Sequence, residues 1–402
     1  MIEQVQNVLS DRVNALAVSA TIAMAQKARE LSAKGIDVIK LSLGEPDFQT
    51  PQHIKDAAKK AIDEGFTFYT PVPGIPELRE AIAHKLKTEN QLPWNAANIV
   101  VSTGAKQSLA NIILALLNPG DEVIIFAPYW VSYSEMVQLV EGVPVLVHGT
   151  IENDFKVTAD QVEAAITPRT KAILYSSPSN PTGSVYTKEE LAEIAAVVER
   201  YPEIVVIADE IYEYISFEPG YFSMGAFENI KDRVITVNGF SKGFAMTGWR
   251  VGYMAGPLWI AQACDKIQGQ VTSGTCSIAQ KAALEAIKAD KTPTFEMVKA
   301  YQTRRDLVLD LLKEIEGLKM YTPQGAFYIF PDVSAYFGKS FEAQIIQDAD
   351  DLCMYLLNEA HVALVSGTAF GAPSCVRISY AASEDELREA VRRIREALSK
   401  LH

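Results

Sequence analysis

Three short stretches of the chain place reactive side chains directly after runs of β-branched residues. Ser176-Ser-Pro-Ser-Asn180-Pro-Thr-Gly183 follows one run and Asp209-Glu-Ile-Tyr212 ends the next. Asn238-Gly-Phe-Ser241-Lys242 ends a third, with Arg250 eight residues further on. Open α/β sheets bind ligands at the carboxyl ends of their strands. An amide, a carboxylate, a phenol, an amine and a guanidinium are therefore expected at one binding edge. A fourth stretch, Ser102-Thr-Gly104-Ala105-Lys106, sits at a strand-to-helix junction, where free N–H groups make an anion site. Arg250 adds a cation able to pair with an anion through two hydrogen bonds. Lysine suits amine chemistry, because desolvation and nearby cations lower its pKa toward neutrality. Singly, each residue has an ordinary explanation: an Asp after a strand often caps a helix, and a Lys or Arg is usually a solvated charge.

The elements that must position these groups are legible from periodicity. Between about residues 98 and 256, seven short apolar runs alternate with helical patterns: Asn98-Ile-Val-Val-Ser, Glu122-Val-Ile-Ile-Phe, Pro144-Val-Leu-Val-His, Lys171-Ala-Ile-Leu-Tyr, Ile204-Val-Val-Ile-Ala, Val234-Ile-Thr-Val-Asn and Val251-Gly-Tyr-Met-Ala. Such runs suit strands buried on both faces, which implies an α/β fold with a mainly parallel seven-stranded sheet. Helix starts are marked by Thr50-Pro51, read as an N-cap followed by a first-turn proline, and Gly65 closes that pattern. Thr158…Gln161, Thr187…Glu190 and Ser383…Glu386 read as capping boxes. The last of these precedes an apolar stripe of Leu387, Val391, Ile394 and Leu398. After about residue 293 the pattern shifts to long helices and a few short strands, such as Ala326-Phe-Tyr-Ile-Phe and Cys375-Val-Arg-Ile-Ser. A large domain over 48–292 and a smaller α+β domain assembled from 1–47 and 293–402 are expected.

Composition narrows the partners. The 402 residues carry 37 basic and 50 acidic side chains, a net charge of −13, which argues against nonspecific binding to nucleic acid or to an anionic membrane. Four unpaired-looking cysteines, no signal-peptide pattern after Met1-Ile-Glu-Gln and no apolar run of about 18 residues point to a cytoplasmic location. Gly338-Lys339-Ser340 lacks the glycine a phosphate loop needs five residues earlier, where Val333 stands, and no Gly-x-Gly fingerprint occurs. The five histidines show no ligand spacing, so no metal site is expected.

The order Asn-Pro-x-Gly, Asp-x-x-Tyr, Ser-Lys and Arg resembles that of the class I and II aminotransferases of pyridoxal-phosphate (PLP) fold type I. Leu43-Gly44-Glu45-Pro46-Asp47-Phe48, Tyr69 before Pro73-Gly74, Gly104-Ala105-Lys106, Pro128-Tyr129-Trp130, Gly325-Ala326-Phe327-Tyr328 and Val376-Arg377-Ile378-Ser379-Tyr380 occur in the family's order. The resemblance spans nearly the whole chain. It implies that Lys242 forms a Schiff base with the PLP aldehyde and then shuttles the α-proton. Asp209 pairs with the pyridine nitrogen, keeping the ring an electron sink. Tyr212 and Asn180 meet the ring hydroxyl, and Trp130 stacks on the ring face. Gly104, Ala105, Lys106 and Arg250 gather round the phosphate. Tyr69 reaches the phosphate of a neighbouring subunit, which implies a homodimer with shared active sites. The family often has a serine three residues before the lysine; here that residue is Gly239, and Ser241 is a candidate substitute.

Arg377 is implied to clamp the α-carboxylate of amino-acid and 2-oxo-acid substrates, helped by Gly44 and Asn180. In one branch of the family an arginine in the stretch matching 270–280 meets the distal carboxylate, and this chain has none there. A bacterial branch uses a lysine in the phosphate-loop helix instead. Thr103-Gly-Ala-Lys106-Gln, Ser19-Ala-Thr21, Pro128-Tyr-Trp-Val-Ser132 and Ala245-Met-Thr-Gly-Trp-Arg250 are similar to that branch. Lys106 and Thr21 are then expected on the distal carboxylate, with aspartate and 2-oxoglutarate as substrates; the alternatives are an aminotransferase for aromatic, alanine or prephenate-type substrates, or a PLP-binding protein without turnover. Some members of this branch accept prephenate through a basic residue shortly before the Ser-Ala-Thr. Ala15-Leu16-Ala17-Val18 stands there, which counts against that second activity.

Overall fold

The computed structural model of the chain describes residues 8–17, 20–342 and 344–402. Met1-Ile-Glu-Gln, Val18 and Ser19, all used in the sequence reading, lie outside the described residues. All seven apolar runs form strands of one sheet. Numbered from a short first strand β1 (Ile39–Lys40), they are β2 (Ile99–Ser102), β3 (Glu122–Ala127), β4 (Val143–His148), β5 (Thr170–Ser176), β6 (Val205–Asp209), β7 (Val234–Gly239) and β8 (Gly252–Ala255). Their order across the sheet is β2-β8-β7-β6-β5-β3-β4. Only β8 runs against its neighbours, so the sheet is mainly parallel, as expected.

Burial on both faces explains why the runs are apolar at nearly every position. Val123, Ile125, Ala172, Leu174, Val205 and Ile207 pack one way, with Leu109, Ile112 and Val137 from covering helices. The alternate residues Ile124, Phe126, Ile173, Tyr175, Val206 and Ala208 pack the other way, with Leu191, Ile194 and Val198. Period-two alternation thus feeds two cores at once. Because β2, β3, β5, β6 and β7 point the same way, Ser102, Ala127, Ser176, Asp209 and Gly239 end at one edge.

A further core joins the two ends of the chain. Ile39 and Leu41 pack with Leu352, Leu364, Ile378, Leu387, Val391 and Ile394. Strand β1 pairs in parallel with β12 (Val362–Ala363), and β14 (Val376–Ser379) lies between β13 (Val365–Ser366) and β9 (Tyr328–Ile329). A small hairpin, β10 (Ser340–Phe341) with β11 (Gln344–Ile345), takes up the Gly338-Lys339-Ser340 segment. The Ser379 N–H donates to the Leu41 carbonyl at 3.0 Å, which brings the Leu43-Gly44 loop beside β14.

Two local readings need correction. Thr50 does not cap the helix Gln52–Asp63; Pro51 occupies the N-cap without a side-chain cap, and the Thr50 hydroxyl donates to the Ala245 carbonyl at 2.6 Å. The Ala326–Phe330 run shrinks to β9, because Ala326 sits at φ +56°, outside extended backbone. The three capping boxes form as expected, and Leu387, Val391, Ile394 and Leu398 are all buried. Ser383→Ala should cost about 1 kcal/mol of stability in urea unfolding, because it removes the cap of the Glu384–Leu398 helix while leaving its stripe intact.

Candidate functional site

The carboxyl edge of the sheet opens into a cavity of about 370 Å³. Asp209, the last residue of β6 and 4% exposed, stands opposite Ser176 of β5. Its Oδ2 accepts a hydrogen bond from the Tyr133 hydroxyl at 2.6 Å, and its Oδ1 accepts from the Ile211 N–H at 3.2 Å. Burial pushes the carboxyl up to about 6, opposed by the Tyr133 and Ile211 bonds and by Lys242. It is still mainly ionised at neutral pH and can accept a proton-bearing partner.

Lys242 donates from Nζ to the Gly44 carbonyl, which links the β7 edge to the segment after β1. Burial, and then the Arg377 guanidinium, lower its ammonium to about 8, so a usable fraction is free amine near neutral pH. The Tyr212 and Tyr328 hydroxyls share a 2.7 Å hydrogen bond. Gly44 has to be glycine here, since a Cβ would lie 2.5 Å from the Tyr328 hydroxyl. Arg377, 2% exposed on β14, donates to Asn180 Oδ1 at 2.8 Å and to the Ser42 carbonyl at 2.6 Å. Its guanidinium lies over the rings of Tyr328 and Phe370 at 4.6 and 4.9 Å. Among the described residues its buried Nε has no partner, so the guanidinium keeps donor capacity for a carboxylate.

The anion end is built at the start of the helix Ala105–Leu116. The N–H groups of Ala105 and Lys106 lie in its first turn, where no intrahelical acceptor exists. Arg250 lines the same wall and is braced on the carbonyls of Thr247 (2.9 Å) and Thr103 (3.4 Å). Gly104 stands at the N-cap outside the cavity lining, and its N–H is already given to Ser102 at 2.7 Å. A serine at 239 has no room: a Cβ there would sit 2.8 Å from the Gly252 Cα on β8. Ser241 does line the cavity.

Of the expected site residues, Lys242, Asp209, Tyr212, Asn180, Trp130, Arg250, Arg377, Gly44, Ala105, Lys106, Thr21 and Ser241 line this one cavity. Lys106 Nζ lies 4.8 Å from the Trp130 ring centroid, and burial and Arg250 lower its pKa. Tyr69 does not join them: it is 98% exposed on the surface of the chain. Two residues escaped the sequence reading. Tyr133 falls three residues after Trp130, and their rings meet edge to face at 5.5 Å; Trp130 precedes the helix Ser132–Leu139, so no periodicity linked the two. Tyr328 lay inside a quoted motif, but only the fold brings it to Tyr212.

This geometry sets two expected outcomes. The Asp209 carboxyl binds its proton more tightly folded than unfolded, so the folded state holds the extra proton between pH 3.8 and about 6. Stability of the cofactor-free protein should therefore fall as pH rises through that window, and Asp209→Asn should remove that component of the curve in urea titrations at stepped pH. Gly239→Ser should lower stability by about 1–3 kcal/mol through overpacking against β8, rather than strengthen anion binding, as unfolding and phosphate-competition measurements would show.

Comparison with known proteins identifies the family. The family model for aminotransferase class I and II matches residues 36–394. An aspartate/prephenate aminotransferase from Cereibacter sphaeroides is 50% identical over 389 residues, covering 96% of this chain and 97% of the relative. A bifunctional aspartate aminotransferase and glutamate/aspartate-prephenate aminotransferase from Petunia hybrida is 49% identical, covering 97% of this chain and 82% of the relative. Among solved structures, an aspartate aminotransferase from Rhizobium meliloti superposes with a TM-score of 0.95 at 42% identity, covering 98% and 99% of the two chains. One from Thermus thermophilus with maleate superposes with a TM-score of 0.92 at 44% identity, covering 97% and 99%. With its fold, its cavity-lining residues and these relatives in agreement, the chain belongs to the class I and II aminotransferase family.

Proposed function

We propose that this aminotransferase uses PLP to move the amino group of L-aspartate to 2-oxoglutarate, giving oxaloacetate and L-glutamate. The observation that carries the substrate is one cavity with Arg377 and Lys106 both in its walls, a cation for each carboxylate of a dicarboxylic acid. The donor set suits PLP. The first-turn N–H groups of Ala105 and Lys106, with Arg250 and Ser241, fit a phosphate. Asp209 fits a ring nitrogen, Trp130 a ring face, and Lys242 an aldehyde. When bound, PLP supplies an electron sink that stabilises negative charge at the substrate α-carbon.

The chain's own groups do the remaining work. Arg377 holds the α-carboxylate, and Gly44 and Asn180 flank it. Lys242 Nζ, close to neutrality through burial and Arg377, accepts and returns the α-proton. Asp209, held in place by the Tyr133 hydroxyl and the Ile211 N–H, would pair with the ring nitrogen. Tyr212, bonded to Tyr328, and Asn180 would meet the ring hydroxyl. Thr21 and Lys106 take the distal carboxylate. Residues 48–292 are proposed as the cofactor domain. The smaller domain, built from 1–47 and 293–402, is proposed to close over substrate and exclude water. Tyr69, exposed in one chain, is proposed to complete the phosphate site of a second copy in a homodimer. Prephenate is a second reading, favoured by the activities named for the relatives from Cereibacter sphaeroides and Petunia hybrida.

Purified protein should be yellow with PLP, and Lys242→Ala should abolish both the imine absorbance and turnover. A colourless wild type in excess cofactor overturns the enzyme reading. In a donor panel of aspartate, phenylalanine, alanine and glutamate with prephenate, Lys106→Ala should lose about tenfold to a hundredfold in kcat/KM for aspartate while alanine is little affected. Equal loss with every donor would assign Lys106 to the phosphate alone.

A further inference from the structure

Behind the 209–213 segment, on the side away from the cavity, lies a buried cluster of polar groups. Asp209 and Tyr212 line the cavity, whereas Glu210 and Glu213 enter this cluster instead. Lys85, from the helix Pro76–Glu89, pairs with Glu213 and donates to Asn90 Oδ1 at 2.7 Å. Asn90 Nδ2 donates to Glu213 Oε2 at 2.8 Å and to Ser223 Oγ at 2.9 Å. The Ser223 hydroxyl donates onward to Glu210 Oε2 at 2.7 Å. All five side chains are buried, none more than 8% exposed. Burial and the Glu213 carboxylate push Glu210 up to about 8. Glu210 therefore holds a proton more readily than an exposed carboxyl, beside the Lys85–Glu213 ion pair.

Stability does not account for such a cluster. Dehydrating an ion pair is costly, and well-packed apolar replacements are often neutral or stabilising. Directional bonds do something apolar packing cannot: they fix where each partner sits. The turn they hold is short, with the Glu213 N–H bonded to the Glu210 carbonyl at 2.9 Å and the Glu210 N–H to the Val237 carbonyl at 2.8 Å. Slack at Glu210 or Glu213 passes through one or two peptide units to Asp209 and Tyr212.

We propose that the Lys85–Glu213–Asn90–Ser223–Glu210 network is a positioning device for the reaction, holding the 209–213 turn from behind and so setting the placement of Asp209 and Tyr212 against the cofactor. This rests on the reading that those two residues face a PLP ring.

The test compares holoenzymes of the wild type, Ser223→Ala and the double variant Lys85→Met/Glu213→Leu, which removes both charges together. The readouts are thermal midpoint, PLP dissociation constant, the pH midpoint of cofactor absorbance, and kcat and KM for aspartate. The double variant should keep its thermal midpoint near that of the wild type, bind PLP more weakly and lose about tenfold or more in kcat, with KM little changed. Its absorbance midpoint should rise by about half a pH unit or more, because a ring nitrogen less firmly protonated by Asp209 withdraws fewer electrons. Ser223→Ala should shift both quantities the same way by less. A folded double variant with wild-type kcat and absorbance midpoint overturns the inference. So does a kcat loss that tracks thermal stability while the midpoint stays put. If the double variant does not fold, an unchanged midpoint and kcat in Ser223→Ala overturn it. A wild type with no PLP band fails the functional reading itself, a result visible before any variant is compared.

Discussion

The Arg377 guanidinium is the point on which the site turns. It is charged, almost fully buried, and held by the Ser42 carbonyl and Asn180 Oδ1, partners 335 and 197 residues away in sequence. A cation in that position is tolerable only because each bond is charge-assisted and two aromatic faces lie against it. Loss of either acceptor would leave a buried guanidinium N–H unpaired, so the β1 end, the β5 edge and β14 are held to one arrangement. The same cation depresses the Lys242 ammonium. One residue therefore fixes the site's shape and tunes its amine.

The sheet serves this arrangement by bringing chain ends together. Parallel strands put Ser176, Asp209 and Gly239 at one edge, and register sets Ser176 beside Asp209 and Gly239 beside Gly252. Close packing at that edge decides which residue types can occupy it. The family's serine before the lysine would crowd the backbone of β8 here, so Gly239 is favoured by packing. Asp209 shows the opposite balance. Burial raises its pKa to about 6, and the Tyr133 hydroxyl and Ile211 N–H oppose that rise. The carboxyl is therefore more basic than an exposed one and still mainly ionised at neutral pH.

Polar chemistry on the two sides of the 209–213 segment differs in kind. The cavity side offers free donors and acceptors for a ligand. The far side joins Glu213 and Glu210 through Lys85, Asn90 and Ser223. Hydrogen-bonded networks of this sort contribute rigidity because each member's geometry depends on the next.

Much of this was legible in residue order. Near-continuous apolar runs announced a sheet buried on both faces, capping boxes located three helix starts, the polar groups after the runs named Lys106, Asn180, Asp209, Tyr212, Ser241, Lys242 and Arg250, and the family resemblance added Thr21, Gly44, Trp130 and Arg377. The reading fell short where conformation depends on distant atoms. Thr50 suits an N-cap locally, but the Ala245 carbonyl claims its hydroxyl. Ala326–Phe330 reads as a strand until Ala326 adopts a positive φ. Gly104 suits an anion loop, but its N–H is spent on Ser102. Tyr133 and Tyr328 carry no local mark of their hydrogen bonds to Asp209 and Tyr212. Periodicity and residue type, both properties of the sequence by itself, determined the layers, the edge and the set of reactive groups. Which donor meets which acceptor was decided only by tertiary structure, because hydrogen bonds and buried charges depend on distances of a few ångströms between segments hundreds of residues apart.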